Sequence, residues 1–141
     1  MGTSDLSKDT RVRHTPDRLG FITALNLCVY AARAHGLDII DGVQLDLEDE
    51  EALAVSCEQG RDLGFDGKSL IHPRQIAAAN TAFGPGEAEV ESARQIIEGF
   101  EAAQREGKAV VVVNGRLVEN LHVEEARRLL ALADAIAAYD S

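Results

Sequence analysis

The chain has 141 residues, 45% of them hydrophobic and 27% charged, which is enough apolar content for a packed core and too much for a disordered chain. A formal net charge of −10 argues against nucleic acid and membrane surfaces as partners, since both repel an acidic protein. No apolar run reaches the roughly 18 residues of a membrane span, and "MGTSDLSKDTR" carries no secretory h-region.

In chain order, "MGTSDL" reads as the stub of a strand that is already ending. Helical periodicity follows over residues 18–35, with Phe21, Leu25, Cys28, Val29 and Ala32 on one stripe and Gly36 as a stop signal. "LDIIDGVQLDL" is β-rich and puts Asp46 near the end of a strand. "EDEEALAVSCEQGRDLG" is a helix with acids in its first turn, where the macrodipole favours them, and "FDGKSLIHP" is a strand stopped by Pro73. Helix resumes over residues 73–82, breaks at "GPG", and runs again over residues 87–106, with Ala93, Ile96, Ile97 and Phe100 as its apolar face. The alternation of strand and helix predicts parallel strands joined by crossover helices.

The last third is a different unit. "VVVVNGRLVENLHV" predicts a hairpin, since Asn114-Gly115 suits a type I′ turn, and "VEEARRLLALADAIAAY" predicts a closing amphipathic helix. If the returning strand alternates as far as residue 121, Leu117, Glu119 and Leu121 share one face, which puts an acid among apolar neighbours. Cys28 and Cys57 have neither metal nor redox spacing, so they are expected to be buried free thiols in a reducing cytoplasm, which makes the location cytoplasmic.

The candidate chemical groups cluster at the ends of the expected strands. In "GTSDL", released backbone N–H groups can grip a carboxylate or phosphate, and Asp5 can ligate a hard cation or serve as a solvated loop or capping residue. Asp46 and His72 sit where βα architectures place ligand-facing groups, with a loop-bonded role open to each; Lys68 and Arg74 are possible partners for an anion. Glu48, Asp49 and Glu50 read as a helix cap and first turn. His14, His35 and His122 read as surface or capping residues.

Taken in order, "GTSDL", "IIDGVQLDLED", "LGFDGKSLIHPRQIAAANTAFGPGEAEVESARQIIEGFEAA" and "VVVVNGRLVENLHVEEARRLLALADAI" resemble the C-terminal half of the citrate lyase beta subunit and malyl-CoA lyase family, the HpcH/HpaI aldolase-like CoA-ester lyases. The resemblance runs over nearly the whole chain, and "GFDGKSLIHPRQI" is its most specific part. It implies an α/β fold: the C-terminal part of a TIM (β/α)8 barrel, incomplete in this chain, followed by a β-hairpin-plus-helix lid. The implied boundaries are 1–83 for the partial barrel, 84–107 for a connecting helix and 108–141 for the lid.

The resemblance also implies a carbon–carbon lyase acting on a 3-hydroxyacyl-CoA of the malyl-, methylmalyl- or citramalyl-CoA type, which gives acetyl- or propionyl-CoA and a 2-oxo acid. Mg²⁺ would polarise the 2-oxo acid's carbonyl. Asp5 matches one metal ligand, and the second carboxylate is expected before residue 1. Gly2, Thr3 and Ser4 match the segment holding the 2-oxo acid's carboxylate, and Asp46, Leu47 and His72 are expected near the CoA ester. Glu119 stands where the family offers a general acid/base from the lid of a neighbouring subunit, which implies a homo-oligomer. A thioesterase using the same site, and a non-catalytic chain that pairs with a full-length barrel, are the rival readings.

Overall fold

A computed structural model of the chain describes residues 2–139. Met1, Asp140 and Ser141, which the implied boundaries include, lie outside the described residues. The chain forms two compact units, residues 1–84 and 85–141, with far more helix than strand.

The first unit contains α1 (Thr3–Thr10), α2 (Ile22–Ala34), β1 (Ile40–Asp41), α3 (Glu50–Asp62), β2 (Gly67–Lys68) and α4 (Gln75–Phe83). β1 and β2 pair in parallel, Ile40 with Gly67 and Asp41 with Lys68. Flanking bonds from the Asp66 N–H to the Ile39 carbonyl (2.9 Å) and from the Ser69 N–H to the Asp41 carbonyl (3.0 Å) complete the ladder. Phe21, Leu25, Val29 and Phe65 form one buried cluster, and Leu53, Cys57 and Ala79 form another. At Gly60 a Cβ would lie 3.0 Å from Asp41 Oδ2 and 3.2 Å from Phe83 Cζ, so a larger residue there would press on the Asp41 carboxylate and the Phe83 ring.

Several expectations are corrected here. "GTSDL" is not a strand end but the first turn of α1. A strand must find a neighbour for its N–H and C=O groups, whereas a helix satisfies them internally. Asp5 in the first turn and Lys8 near the last also suit the helix dipole. The strands predicted at "IIDGVQLDL" and "GKSLI" shrink to two residues each, because each finds ladder partners in the other over that length alone. Asp46 therefore lies in a loop. The helix expected from residue 18 begins instead with a 3₁₀ turn, Leu19–Phe21, and Arg18 before it takes left-handed backbone (φ 51°). Neither cysteine forms a disulfide; Cys57 is buried and Cys28 half-buried.

The second unit contains α5 (Glu87–Arg105), β3 (Val111–Val113), β4 (Arg116–Val118) and α6 (Asn120–Tyr139). β3 and β4 form the predicted hairpin, with Asn114 and Gly115 both at positive φ (50° and 78°), as a type I′ turn requires. Phe100, Val118 and Val123 are its buried core. The expected alternation through Leu117, Glu119 and Leu121 ends early. β4 stops at Val118, Leu121 is already helical, and both leucines are exposed while Val118 is 3% exposed. Glu119 is the half-buried residue just before α6. Its N–H donates to His122 Nδ1 (3.0 Å), and its carbonyl accepts from the His122 N–H (3.0 Å), so His122 is the capping residue expected.

Candidate functional site

A cleft of about 250 Å³ opens in the first unit between the start of α1, the turn before α2, the loop after β1 and the N-terminal half of α3. Thr3, His14, Arg18, Gln44, Asp46 and Ser56 face it, and a smaller adjoining hollow adds Ser4 and Leu45. Of the residues anticipated from sequence, the structure brings Thr3, Ser4 and Asp46 together. Gly2 and Asp5 are exposed at the start of α1, and Leu47 is exposed in the loop after β1; none of the three lines the cleft. His72 lies before α4, where its Nδ1 accepts the Arg74 N–H (3.2 Å), the loop-bonded role left open for it. Glu119 belongs to the other unit.

The loop that carries Asp46 is fixed from both ends. Asp46 Oδ1 accepts the N–H groups of Glu48 (3.0 Å) and Asp49 (3.3 Å), and Asp49 caps α3 through the Ala52 N–H (2.8 Å), so the acids after β1 organise the helix start. Gln75, 3% exposed, accepts the Ile71 N–H (3.0 Å) and donates to the Gln44 carbonyl (3.1 Å), which ties the cleft loop to α4.

Beneath the cleft lies a charged group that sequence reasoning missed. The carboxylate of Asp41 is fully buried. Its Oδ2 accepts from Arg18 Nη1 (2.7 Å) and Lys68 Nζ (3.1 Å), and its Oδ1 accepts from the Gly42 N–H (2.8 Å). Lys68, 1% exposed, also donates to Ser56 Oγ (2.9 Å), so it is a buried structural cation and not the accessible anion partner anticipated. Arg74 is exposed and 3.7 Å from Glu48. The available signal was an acid inside the apolar run "IIDGV" facing a short strand that carries a lysine. His14, expected at the surface, is exposed but lines the cleft, with its ring 5.0 Å from that of Phe21. Burial pushes the Cys57 thiol up from its ordinary value, against a smaller opposing pull from Lys68.

Among the described residues no three His, Cys, Asp or Glu side chains gather as a metal ion would require. Asp5 offers one oxygen ligand, while Asp46 and Asp49 are engaged in capping. These residues alone do not fit a Mg²⁺ site, which needs near-octahedral oxygen coordination. No helix among the described residues is long and apolar enough to cross a membrane.

Residues 1–73 match the model of the HpcH/HpaI aldolase/citrate lyase family. A (3S)-malyl-CoA thioesterase of Cereibacter sphaeroides is 55% identical over 139 residues, which cover 99% of this chain and 49% of that protein. Citrate lyase subunit beta of Leuconostoc mesenteroides subsp. cremoris is 36% identical over 141 residues, 100% of this chain and 47% of the relative. The chain thus spans about half the length of the curated relatives it matches. Among solved structures, CitE from Mycobacterium tuberculosis, in complex with magnesium, acetoacetate and coenzyme A, superposes with a TM-score of 0.60 at 30% identity, covering 74% of this chain and 38% of that one. With α/β architecture and a family match over more than half its length, the chain belongs to the HpcH/HpaI aldolase/citrate lyase family.

Proposed function

We propose that the protein makes or breaks the carbon–carbon bond of a 3-hydroxyacyl-CoA of the malyl-, methylmalyl- or citramalyl-CoA type, giving acetyl- or propionyl-CoA and a 2-oxo acid. The observation that carries this reading is the likeness to a protein solved with magnesium, a keto acid and coenzyme A. In this reading residues 1–83 are the last part of a TIM barrel, 84–107 a connecting helix and 108–141 a lid. The protein is a cytoplasmic homo-oligomer in which each lid serves a neighbour.

Thr3 and Ser4 hold the 2-oxo acid's carboxylate at the cleft, with Gly2 preceding them at the start of α1, while Asp46, Leu47 and His72 lie toward the CoA ester. In cleavage, the 3-hydroxyl gives its proton to solvent water and becomes the carbonyl, while the electron pair of the breaking carbon–carbon bond passes to the thioester enolate. Protonated Glu119 then delivers a proton to the enolate carbon, and the same group removes that proton in the synthetic direction. Magnesium belongs to this reading, with Asp5 as the one ligand the chain offers; when bound it would supply Lewis-acid polarisation of the 2-oxo acid's carbonyl.

A thioesterase reading is supported by the 55% identical relative, whose name carries that activity. Incubation with malyl-, methylmalyl- and citramalyl-CoA and Mg²⁺ separates the two: acetyl- or propionyl-CoA plus a 2-oxo acid marks the lyase, free CoA plus the hydroxy acid marks the thioesterase, and no product from any of the three refutes both. Glu119→Gln should slow C–C bond turnover by about 10²-fold. Mixing that variant with Asp5→Asn should recover activity, since one site can then pair an intact Asp5 with an intact Glu119.

A further inference from the structure

The charged floor of the cleft has no role in the reaction described above. Arg18, Asp41 and Lys68 sum to one positive charge, and Asp41 and Lys68 are sealed from solvent, with side-chain exposures of 0% and 1%. One carboxylate cannot neutralise two cations. The surplus charge meets solvent at Arg18, which is 13% exposed and lines the cleft.

The guanidinium is held in a fixed orientation. Its Nε donates to Gln59 Oε1, Nη1 to Asp41 and Nη2 to the Ser56 carbonyl at 3.5 Å. Gln59 is anchored in turn by its Nε2 donating to the Asp17 carbonyl (2.6 Å). An arginine has five N–H donors, so two remain for a ligand, one on each terminal nitrogen, and both suit an anionic oxygen of a carboxylate or phosphate. The backbone around it is also committed: the Arg18 N–H donates to the Thr15 carbonyl (2.9 Å), and the Arg18 carbonyl accepts the Phe21 N–H (2.8 Å), which hold the residue in its left-handed conformation. Thr3, Thr15 and Gln44 add neutral polar groups to the wall beside His14, while Asp46 and Asp49 oppose an anion from the rim.

We infer that Arg18 is the anion-recognition residue of this cleft, binding a carboxylate or phosphate group with the two donors that Gln59, Asp41 and Ser56 leave over. At about 250 Å³ the cleft lies just below the roughly 300–1,000 Å³ of drug-sized ligand sites, so it takes an end group and not a whole coenzyme A. The inference rests on the proposed function for the identity of the ligand: the end group is either the acyl carboxylate or a phosphate of the CoA moiety.

Calorimetric titration of the 141-residue chain at low ionic strength, with inorganic phosphate and separately with glyoxylate, tests it. Saturable binding of at least one probe is expected; phosphate alone points to the CoA phosphate and glyoxylate alone to the acyl carboxylate. Arg18→Gln should weaken that binding about tenfold or more, the scale of a lost charge-assisted pair. Asp46→Asn should tighten it roughly twofold by removing an opposing charge. If Arg18→Gln does not fold, Arg18→Lys replaces it; this keeps the charge, loses the fork and should weaken binding several-fold. Absence of saturable binding, or an affinity unmoved by substitution of Arg18, overturns the inference. Turnover of malyl-CoA without Arg18-dependent anion binding would overturn it alone, and Arg18-dependent binding without turnover would overturn only the proposed function.

Discussion

Removing Asp41 should be far more damaging than removing Lys68, although the two form one ion pair. Asp41→Asn keeps the shape and an acceptor for the Gly42 N–H but leaves Lys68 buried and Arg18 at the cleft without their shared carboxylate, raising the charge of the trio from +1 to +2. Breaking a buried pair in this way costs about 3–5 kcal/mol, because the remaining charge stays desolvated without its partner. Lys68→Met instead lowers the trio to neutrality and spares the 2.7 Å contact between Arg18 and Asp41. The lost charged hydrogen bond is partly offset by the ammonium that no longer has to be desolvated, for a net cost of about 1–2 kcal/mol. The double variant Asp41→Asn/Lys68→Met should then be more stable than Asp41→Asn alone by about 1–2 kcal/mol. Urea unfolding at pH 7, followed by far-UV circular dichroism, reads these differences, and with m near 2 kcal/mol/M the Asp41→Asn midpoint should fall by roughly 2 M. A Lys68→Met variant as unstable as Asp41→Asn, or a double variant that gains nothing, would show that the trio is not organised around a single shared carboxylate.

Phe100→Ala should cost about 3–5 kcal/mol by opening a cavity against Val118 and Val123, with loss of hydrogen-exchange protection at the hairpin amides as the readout. Thiol labelling at pH 8 should modify half-buried Cys28 first, and Cys57 only after urea is added, because Cys57 is fully buried and its thiol is held above its ordinary titration range. Because the folded state binds that proton more tightly than the unfolded chain does, the associated stability is present below the ordinary thiol range and declines as pH rises through it.

Several elements were legible in the sequence because their signals are local. The apolar stripe of α2, the acids that open α3, the 3.6-residue period of α5 and the Asn114-Gly115 turn each specify structure within one or two turns of chain, and each forms where expected apart from the 3₁₀ turn that precedes α2. The motifs that carry the family likeness are equally local strings. Other features depended on which distant segments meet. "GTSDL" is compatible with a strand or a helix, and became helix because a helix closes its own hydrogen bonds. β4 ended at Val118, where burial against Phe100 and Val123 gave way to the start of α6, so the face assigned to Glu119 by alternation does not exist. The Arg18, Asp41 and Lys68 cluster joins residues 23 and 27 positions apart. No periodicity reveals such a cluster, because it is the desolvation of Asp41 in the folded unit that selects the two cations placed around it.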